Sequence, residues 1–271
     1  RGRMARDMGD SATEIEHLTA ALERSGNPQL GAFCLFFRAL ASFRLGTAND
    51  AAGDTLAAAE KFGSSVSDLE HLLSDAVDIA TPEMRSVAYR TRGVALTRLS
   101  RSEEAVVNYR ILIASAAAPE ERSDFELMLM ELYYDLEQLD ETAKTARDII
   151  AAEFQDDNTA GFYKKERAHL VLTSVLLETE QYRETVRTAR EAIARYPGSA
   201  ELATLRLASA RALFSLEDYA EAARAFDTFL ARHPDNVETP AAYYQLGYAH
   251  ELLGNYDDAA TAVGTLAERF P

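Results

Sequence analysis

Apolar residues recur every three or four positions along most of the chain, which is the period of an α-helix with one buried face. The clearest example is Tyr243 to Pro271, where two amphipathic helices are joined by a tight turn at Leu253-Gly254-Asn255. Small residues stand where these two helices must touch, and aromatic residues stand between the small ones. The pattern predicts a helical hairpin.

This hairpin recurs along the chain. Tyr219 lies 37 residues after Tyr182 and 37 before Tyr256 (219 − 182 = 256 − 219 = 37). Pro197, Pro234 and Pro271 follow the same step, each after an arginine and an aromatic ring. A proline cannot continue a helix, and an arginine in the last turn faces the negative end of the helix dipole. The step therefore predicts an array of hairpins that each end at a proline.

Toward the N-terminus the same step predicts turns at Gly9 and Gly46. Residues 64–80 break the step with apolar residues at helical spacing, and we interpret them as a helix inserted between repeats. A polar loop at residues 155–161 adds six residues. The predicted units are 1–26 (a partial repeat), 27–63, 64–80 (the inserted helix), 81–118, 119–155, 163–198, 199–235 and 236–271.

The last three units resemble the tetratricopeptide repeat family. The matching residues are Leu172, Tyr182, Ala192 and Pro197, then Ala210, Tyr219, Ala222, Phe226 and Pro234, then Tyr243, Leu246, Gly247, Gly254, Tyr256, Ala259 and Pro271. Residues at His250, Val263, Leu266, Thr185 and Ala189 depart from the family pattern. The resemblance implies an all-α, right-handed superhelix (a tetratricopeptide solenoid) of about six hairpins with one inserted helix, and a protein or peptide partner.

The step is longer than the family's usual 34 or so residues. This lengthened form, with Pro-Gly-Ser or Pro-Asp-Asn after the second helix, is similar to bacterial cell-envelope members of the family. The similarity leads us to expect a periplasmic or envelope location, with the cytoplasm as the alternative.

Charge and motifs narrow the classes of function. A net charge of −16 disfavours binding to nucleic acid or to anionic membranes. No run of 18 apolar residues predicts a transmembrane segment. No phosphate loop, zinc motif or nucleophile motif occurs, and the five histidines lie in separate segments. Cys34, the single cysteine, is expected to be a small buried hydrophobe. We therefore expect no catalysis, no cofactor and no metal; Asp156-Asp157-Asn158 lacks the remaining ligands of a calcium loop.

In this family, peptides lie in a concave groove lined by the first helix of each hairpin. Arginine and aromatic residues are frequent in peptide hot spots. The candidate groove residues are Phe36, Arg44, Arg90, Arg98, Tyr134, Arg167, Arg211, Phe214, Tyr244 and Tyr248. Phe33 and Leu127 fall on the same projected face. The alternative interpretation is that the phenylalanines are buried and the arginines pair with local carboxylates.

Two other roles stay open from the sequence. The chain could be a structural segment of a larger bacterial envelope or motility protein, which assembles through its open ends or its acidic outer face. No polar helix follows the last hairpin, so its far face is predicted to be apolar and exposed, and self-association through this hairpin is a second prediction.

Overall fold

The computed structural model describes residues 2–116, 118–153 and 159–270, and every regular element in these ranges is an α-helix. Residues 156–158 of the polar loop, the weak candidate for a cation site, lie outside the described residues, as does Pro271. The helices are α1 (Gly2–Arg24), α2 (Pro28–Ala52), α3 (Thr55–Ser74), α4 (Pro82–Arg98), α5 (Ser102–Ser115), α6 (Pro119–Asp135), α7 (Leu139–Ala151), α8 (Thr159–Glu178), α9 (Tyr182–Arg195), α10 (Leu202–Ser215), α11 (Tyr219–Arg232), α12 (Thr239–Leu252) and α13 (Tyr256–Arg269).

The chain divides into two compact units, residues 1–132 and 133–271. In unit 1, α1 packs on α2, α2 on α3, α3 on α4, and α4 on α5. In unit 2 the same succession runs from α7 to α13. The first helices of neighbouring hairpins also meet, since α2 contacts α4 and α8 contacts α10. Each unit is thus a stack of helical hairpins in which contacts join near neighbours.

The turn inside each hairpin has one backbone design. One residue adopts a left-handed conformation with φ between 56° and 83°, and the next N–H donates to the carbonyl five residues earlier. This is the Schellman arrangement, which satisfies carbonyls left free at a helix end. The left-handed residues are Gly53, Ser100, Glu137, Glu180, Glu217 and Gly254. From Ser100 onward they are 37, 43, 37 and 37 residues apart, in agreement with the predicted step and its six-residue insertion.

Gly9 and Gly46 are not turn residues, which corrects the prediction for the N-terminal hairpins. Gly9 lies inside α1, and Gly46 lies inside α2, seven residues before the true turn at Gly53. A Cβ atom on Gly46 would stand 2.9 Å from Cδ1 of Phe62. Gly93 and Gly247 also lie seven residues before a left-handed turn residue. A Cβ atom on either would stand 2.8 or 2.9 Å, respectively, from a side-chain atom of the second helix. Gly46 is therefore needed where the two helices touch.

Residues 64–80 do not form a separate inserted helix. Residues 64–74 are the second half of α3, which has 20 residues against 14 in α5, and residues 75–80 form turns. Val66, Leu69 and Leu72 of this half are buried, and the two leucines pack against α2 and α4. No proline interrupts the helix here, so it simply continues. The break in the step is a lengthened second helix and turn.

By length and composition, α2 is the one helix of the described residues that could span a membrane. Its buried face, which includes Cys34 as predicted, packs against its neighbours. Arg38 donates to both carboxylate oxygens of Asp68, at 2.8 and 2.7 Å, and to Thr19 at 3.1 Å. These bonds join α1, α2 and α3, so α2 serves as the central helix of unit 1.

The contact at Gly46 generates a prediction about stability. Alanine should improve helix propensity by about 0.5–1 kcal/mol wherever its methyl group has room. At Gly63 in α3 a Cβ atom would meet nothing within 4 Å, whereas at Gly46 it would meet the Phe62 ring. We expect Gly63→Ala to raise the free energy of unfolding and Gly46→Ala to lower it by roughly 1–2 kcal/mol, because overpacking outweighs propensity. Urea unfolding measures the free energy of unfolding of both variants. Equal changes in the two variants would contradict the close contact at Gly46.

The left-handed turns generate a second prediction. Glu217 has φ of 62° and is exposed, so its side chain carries a conformational cost without a buried contact. Left-handed geometry costs most residues roughly 1–2 kcal/mol, and glycine avoids this cost. We expect Glu217→Gly to stabilise the protein by about 0.5–1 kcal/mol, and the reciprocal change Gly254→Ala to destabilise it. Thermal unfolding of both variants tests this prediction. A change of melting temperature in the same direction for both would contradict a conformational cost at the left-handed positions.

Candidate peptide-binding site

The first helices of the hairpins in unit 2 leave one side uncovered by their second helices. We call this side of α8, α10 and α12 the inner face of unit 2. Two depressions of about 450 and 430 Å³ open on it. The larger, the α10 pocket, lies between α8, α10 and residues 236–238. The smaller, the α8 pocket, lies between the first half of α8 and residues 198–201.

The two pockets share part of their lining at positions one repeat apart. Adding 37 to the number converts six of the nine lining residues of the α8 pocket into lining residues of the α10 pocket. The pairs are Glu166 and Ala203, Arg167 and Thr204, Leu170 and Leu207, Ser199 and Asn236, Ala200 and Val237, and Glu201 and Glu238. Leu170 and Leu207 are buried and form the apolar floors. The inner face therefore repeats a binding-sized depression at the period of the array.

Matching loops form the rims of these pockets. The loops read Pro-Gly-Ser-Ala-Glu at 197–201 and Pro-Asp-Asn-Val-Glu at 234–238. Ser199 Oγ accepts the N–H of Glu201 at 3.0 Å, and Asn236 Oδ1 accepts the N–H of Glu238 at 2.9 Å. Such side-chain turns hold a loop in one conformation. The glutamates are thus placed alike at the start of α10 and α12.

The α8 pocket rests on an internal polar contact. Tyr196 is fully buried beside His169, with its hydroxyl 3.3 Å from Nδ1 of the histidine, and that nitrogen lies 2.7 Å from the carbonyl of Lys165. Burial raises the pKa of Tyr196 to about 12 and lowers the pKa of His169. Both side chains are therefore neutral near pH 7, and Tyr196 packs with Leu170 in the core. This contact is structural and supports the pocket floor.

Exposed aromatic rings extend the inner face across α12. Tyr244 and Tyr248 stand one helical turn apart, and Tyr244 is 62% exposed. The ring of Phe214 lies 5.5 Å from that of Tyr248 and 5.3 Å from that of Tyr219. Tyr244 is one repeat after Leu207, so a ring replaces the buried leucine floor in the last hairpin. The fold thus gathers Phe214, Tyr244 and Tyr248, all predicted groove residues, at one end of the inner face.

Among the predicted arginines, Arg44, Arg90, Arg98 and Arg211 pair with carboxylates. Arg211 donates to Glu238 at 2.6 Å and to Gln245 at 3.3 Å. Arg167 is half-buried in the lining of the α8 pocket. In unit 1, the pairs are Arg44 with Glu14 at 2.5 Å, Arg98 with Asp50 at 3.2 Å, and Arg90 with Glu121. These four ion pairs agree with the alternative interpretation of the sequence, in which the arginines pair with local carboxylates.

Phe36 does not belong to an exposed face, which corrects its prediction as a groove residue. It is 7% exposed and packs with Leu69 and Met84 in the core of unit 1. Phe33 and Phe37, which lie one helical turn apart, are the exposed rings of α2. The error is one residue of register, because neighbouring positions on a helix point about 100° apart. Leu127 is likewise buried.

Some lining residues escaped the sequence interpretation. Val237 is 88% exposed on the rim of the α10 pocket, and Glu178 and Glu238 line the same pocket. The repeated loop with Ser or Asn two residues before Glu was the available signal. Tyr134, also predicted, is partly exposed at the end of α6 and lines neither pocket. Within the described ranges, no group of three His, Cys, Asp or Glu side chains could hold a metal ion.

Comparison with known proteins agrees with this architecture. Residues 207–271 match the family model for the tetratricopeptide repeat. No curated protein sequence matches significantly. The chain is similar to the solved structure of the apo form of RapI, with a TM-score of 0.65 and 13% identity over 97% of this chain and 75% of RapI. It is also similar to MamA of AMB-1 (TM-score 0.55, 19% identity, 69% of this chain and 92% of MamA).

These matches confirm the resemblance to the tetratricopeptide repeat family and the all-α superhelical fold class. The C-terminal hairpins carry the family pattern at the level of sequence, and the solved structures extend the fold to the remaining helices. Tetratricopeptide repeats serve as protein-interaction scaffolds, and the family match at residues 207–271 supports this broad class of function. The resemblance to cell-envelope members is not supported by any of these matches.

Proposed function

We propose that this chain is a non-catalytic scaffold that binds a peptide segment of a partner protein along the inner face of unit 2. The observation that carries the proposal is the pair of tyrosines on α12. Amphipathic rings exposed on a rigid helix are typical anchors of protein interfaces. The two adjoining pockets supply depressions for side chains of the same segment.

The absence of catalysis is part of the proposal. His169, which precedes Leu170 of the α8 pocket floor, is buried, and its Nδ1 lies within hydrogen-bond distance of a backbone carbonyl. Arg211 is held by Glu238 at the pocket rim. Neither arrangement offers a general base or nucleophile to a bound molecule, since both need an accessible, suitably activated group. The inner face is thus better suited to recognition than to chemistry.

Selection of random peptides displayed on phage tests the inner face without requiring a known partner. We expect peptides selected on the wild-type chain to lose at least about tenfold in affinity on Tyr244→Ala/Tyr248→Ala, a loss of about 1.4 kcal/mol that is typical of anchor residues. Fluorescence anisotropy of a labelled selected peptide measures the loss. Both tyrosines are exposed, so the variant should keep its fold, which circular dichroism checks.

Val107→Ala provides the control, because Val107 is 58% exposed on α5 and lies outside both pockets. Binding of the selected peptides should not change in this variant. If the selected peptides bind the double tyrosine variant as tightly as the wild type, their binding surface lies elsewhere and the proposal is excluded.

Self-association through the last hairpin is a second candidate, and one observation favours it. In α11, Ala223, Phe226 and Leu230 are buried against α12 and its neighbours. The same positions in α13 are Ala260, Val263 and Ala267, and all three are exposed. With Tyr256, which is 71% exposed, they form an uncharged stripe on α13. Among the described residues, none covers Tyr256.

The stripe is complementary to itself when two copies run antiparallel. Tyr256 then faces the small Ala267 of the second copy, and Val263 faces Ala260. Large side chains opposite small ones give close helix packing, and one patch serves both partners of a twofold dimer. A role as a segment of a larger envelope or motility protein, and an envelope location, stay predictions from the sequence.

Val263→Lys tests the stripe. We expect the wild-type mass in sedimentation equilibrium to rise with concentration toward that of a dimer, and the variant to stay monomeric because each copy would bury a lysine. Val107→Lys introduces the same change on an exposed valine outside the stripe and should behave like the wild type. A wild-type chain that stays monomeric at high concentration would contradict this candidate.

A further inference from the structure

We infer that the inner face of unit 2 recognises a basic segment in the polyproline II conformation, with aliphatic side chains at positions i and i+3. This inference rests on the proposed function and states the chemistry of the ligand. It draws on three independent features of the described residues, which are the spacing of the pockets, their charge and the place of Tyr244.

The spacing of the pockets selects the backbone conformation of the ligand. The α8 and α10 pockets are built by neighbouring first helices that contact each other, and packed helices lie roughly 8–10 Å apart. A polyproline II segment has three residues per turn and rises about 3.1 Å per residue, so side chains i and i+3 point the same way about 9 Å apart. In a β-strand, side chains on one side recur at i+2 and i+4, about 6.6 and about 13 Å apart, and neither distance matches the helix spacing. The polyproline II conformation therefore delivers consecutive side chains to both floors.

The charge of the pockets selects a basic ligand. The α8 pocket is lined by Glu166, Arg167 and Glu201, so two carboxylates face one guanidinium. The α10 pocket has the same balance, with Glu178 and Glu238 against Arg211. An extended ligand that crosses both pockets thus meets one excess negative charge at each, and the net charge of −16 attracts cations at longer range.

Tyr244 defines a third position for the ligand. It follows Leu170 and Leu207 at the same 37-residue step, and its ring is exposed where the leucines are buried. Arg211 and Phe214 connect α10 to α12 through Gln245 and Tyr248, so the third position continues the row. A cation near the face of an exposed tyrosine is attracted by the negative face of the ring. The ligand therefore places a lysine or arginine at i+6.

A labelled heptapeptide tests this inference directly. The sequence Leu-Pro-Lys-Leu-Pro-Lys-Arg places leucine at i and i+3 and arginine at i+6, and its prolines favour polyproline II. The first control peptide exchanges residues so that the leucines stand at i and i+4, with unchanged composition. The second control replaces every lysine and arginine by glutamate. We expect fluorescence anisotropy to show the first peptide binding at least about tenfold more tightly than either control.

Variants of exposed residues locate the peptide. Val237→Ser removes the apolar rim of the α10 pocket and should weaken binding about fivefold. Glu178→Lys should weaken it by a similar factor, since it reverses a charge in that pocket. Glu217→Lys makes the same charge change at a turn outside both pockets and should alter binding less than about twofold.

Each result decides the inference. Equal binding of the i+4 peptide overturns the polyproline II register, and equal binding of the glutamate peptide overturns the preference for basic ligands. No binding of the first peptide up to about 1 mM overturns the inference as a whole. If peptides selected on phage still depend on Tyr244 and Tyr248 in that case, the proposed function stands and only the stated ligand chemistry is wrong.

Discussion

A close contact between the two helices of a hairpin, seen at a glycine in three of the described hairpins, is the constraint on which those hairpins depend. At Gly46, Gly93 and Gly247 the backbone of the first helix comes so near its partner that a Cβ atom would stand within 3.0 Å of a neighbour. The left-handed turn follows seven residues later in each of these hairpins. Because the second helix covers one side of the first, the opposite side is left for the next repeat and for the proposed ligand. The inner face is a consequence of this contact.

The sequence predicted the later hairpins well because two different features repeat together there. Turn residues and helix-ending prolines share the 37-residue step from Tyr182 onward, so an error in one would conflict with the other. Toward the N-terminus only two glycines defined the step. Gly46 is a contact glycine and Gly53 the turn glycine, and their identity alone does not separate these roles. The length of α3 was mispredicted for a related reason. Helical periodicity alone does not show whether two apolar stretches belong to one long helix or to two separate helices.

The site was harder to predict, for physical reasons that differ between its residues. The exposure of Tyr244 and Tyr248 could be predicted, because helical periodicity alone puts both rings on the side of α12 that faces away from its partner helix. The arginines could not be assessed, because their carboxylate partners are 27 residues away for Arg211 and 48 for Arg98. Phe36 and Phe37 are distinguished only by the orientation of α2, which a short apolar run leaves open. The pockets themselves depend on loop conformation, and periodicity carries no information about it.

The two pockets related by one repeat have a consequence for how this protein can change over evolutionary time. Each pocket combines helix residues with residues of one five-residue loop, and the loop turns are fixed by their own side chains. For the proposed ligand, a substitution at Ala200 or Val237 therefore changes the contacts of one position of the bound segment and leaves those of the neighbouring position unchanged. Duplication or loss of a repeat would lengthen or shorten the recognised segment by about three residues. The binding specificity of such a chain can therefore change at one ligand position at a time, while the fold stays the same.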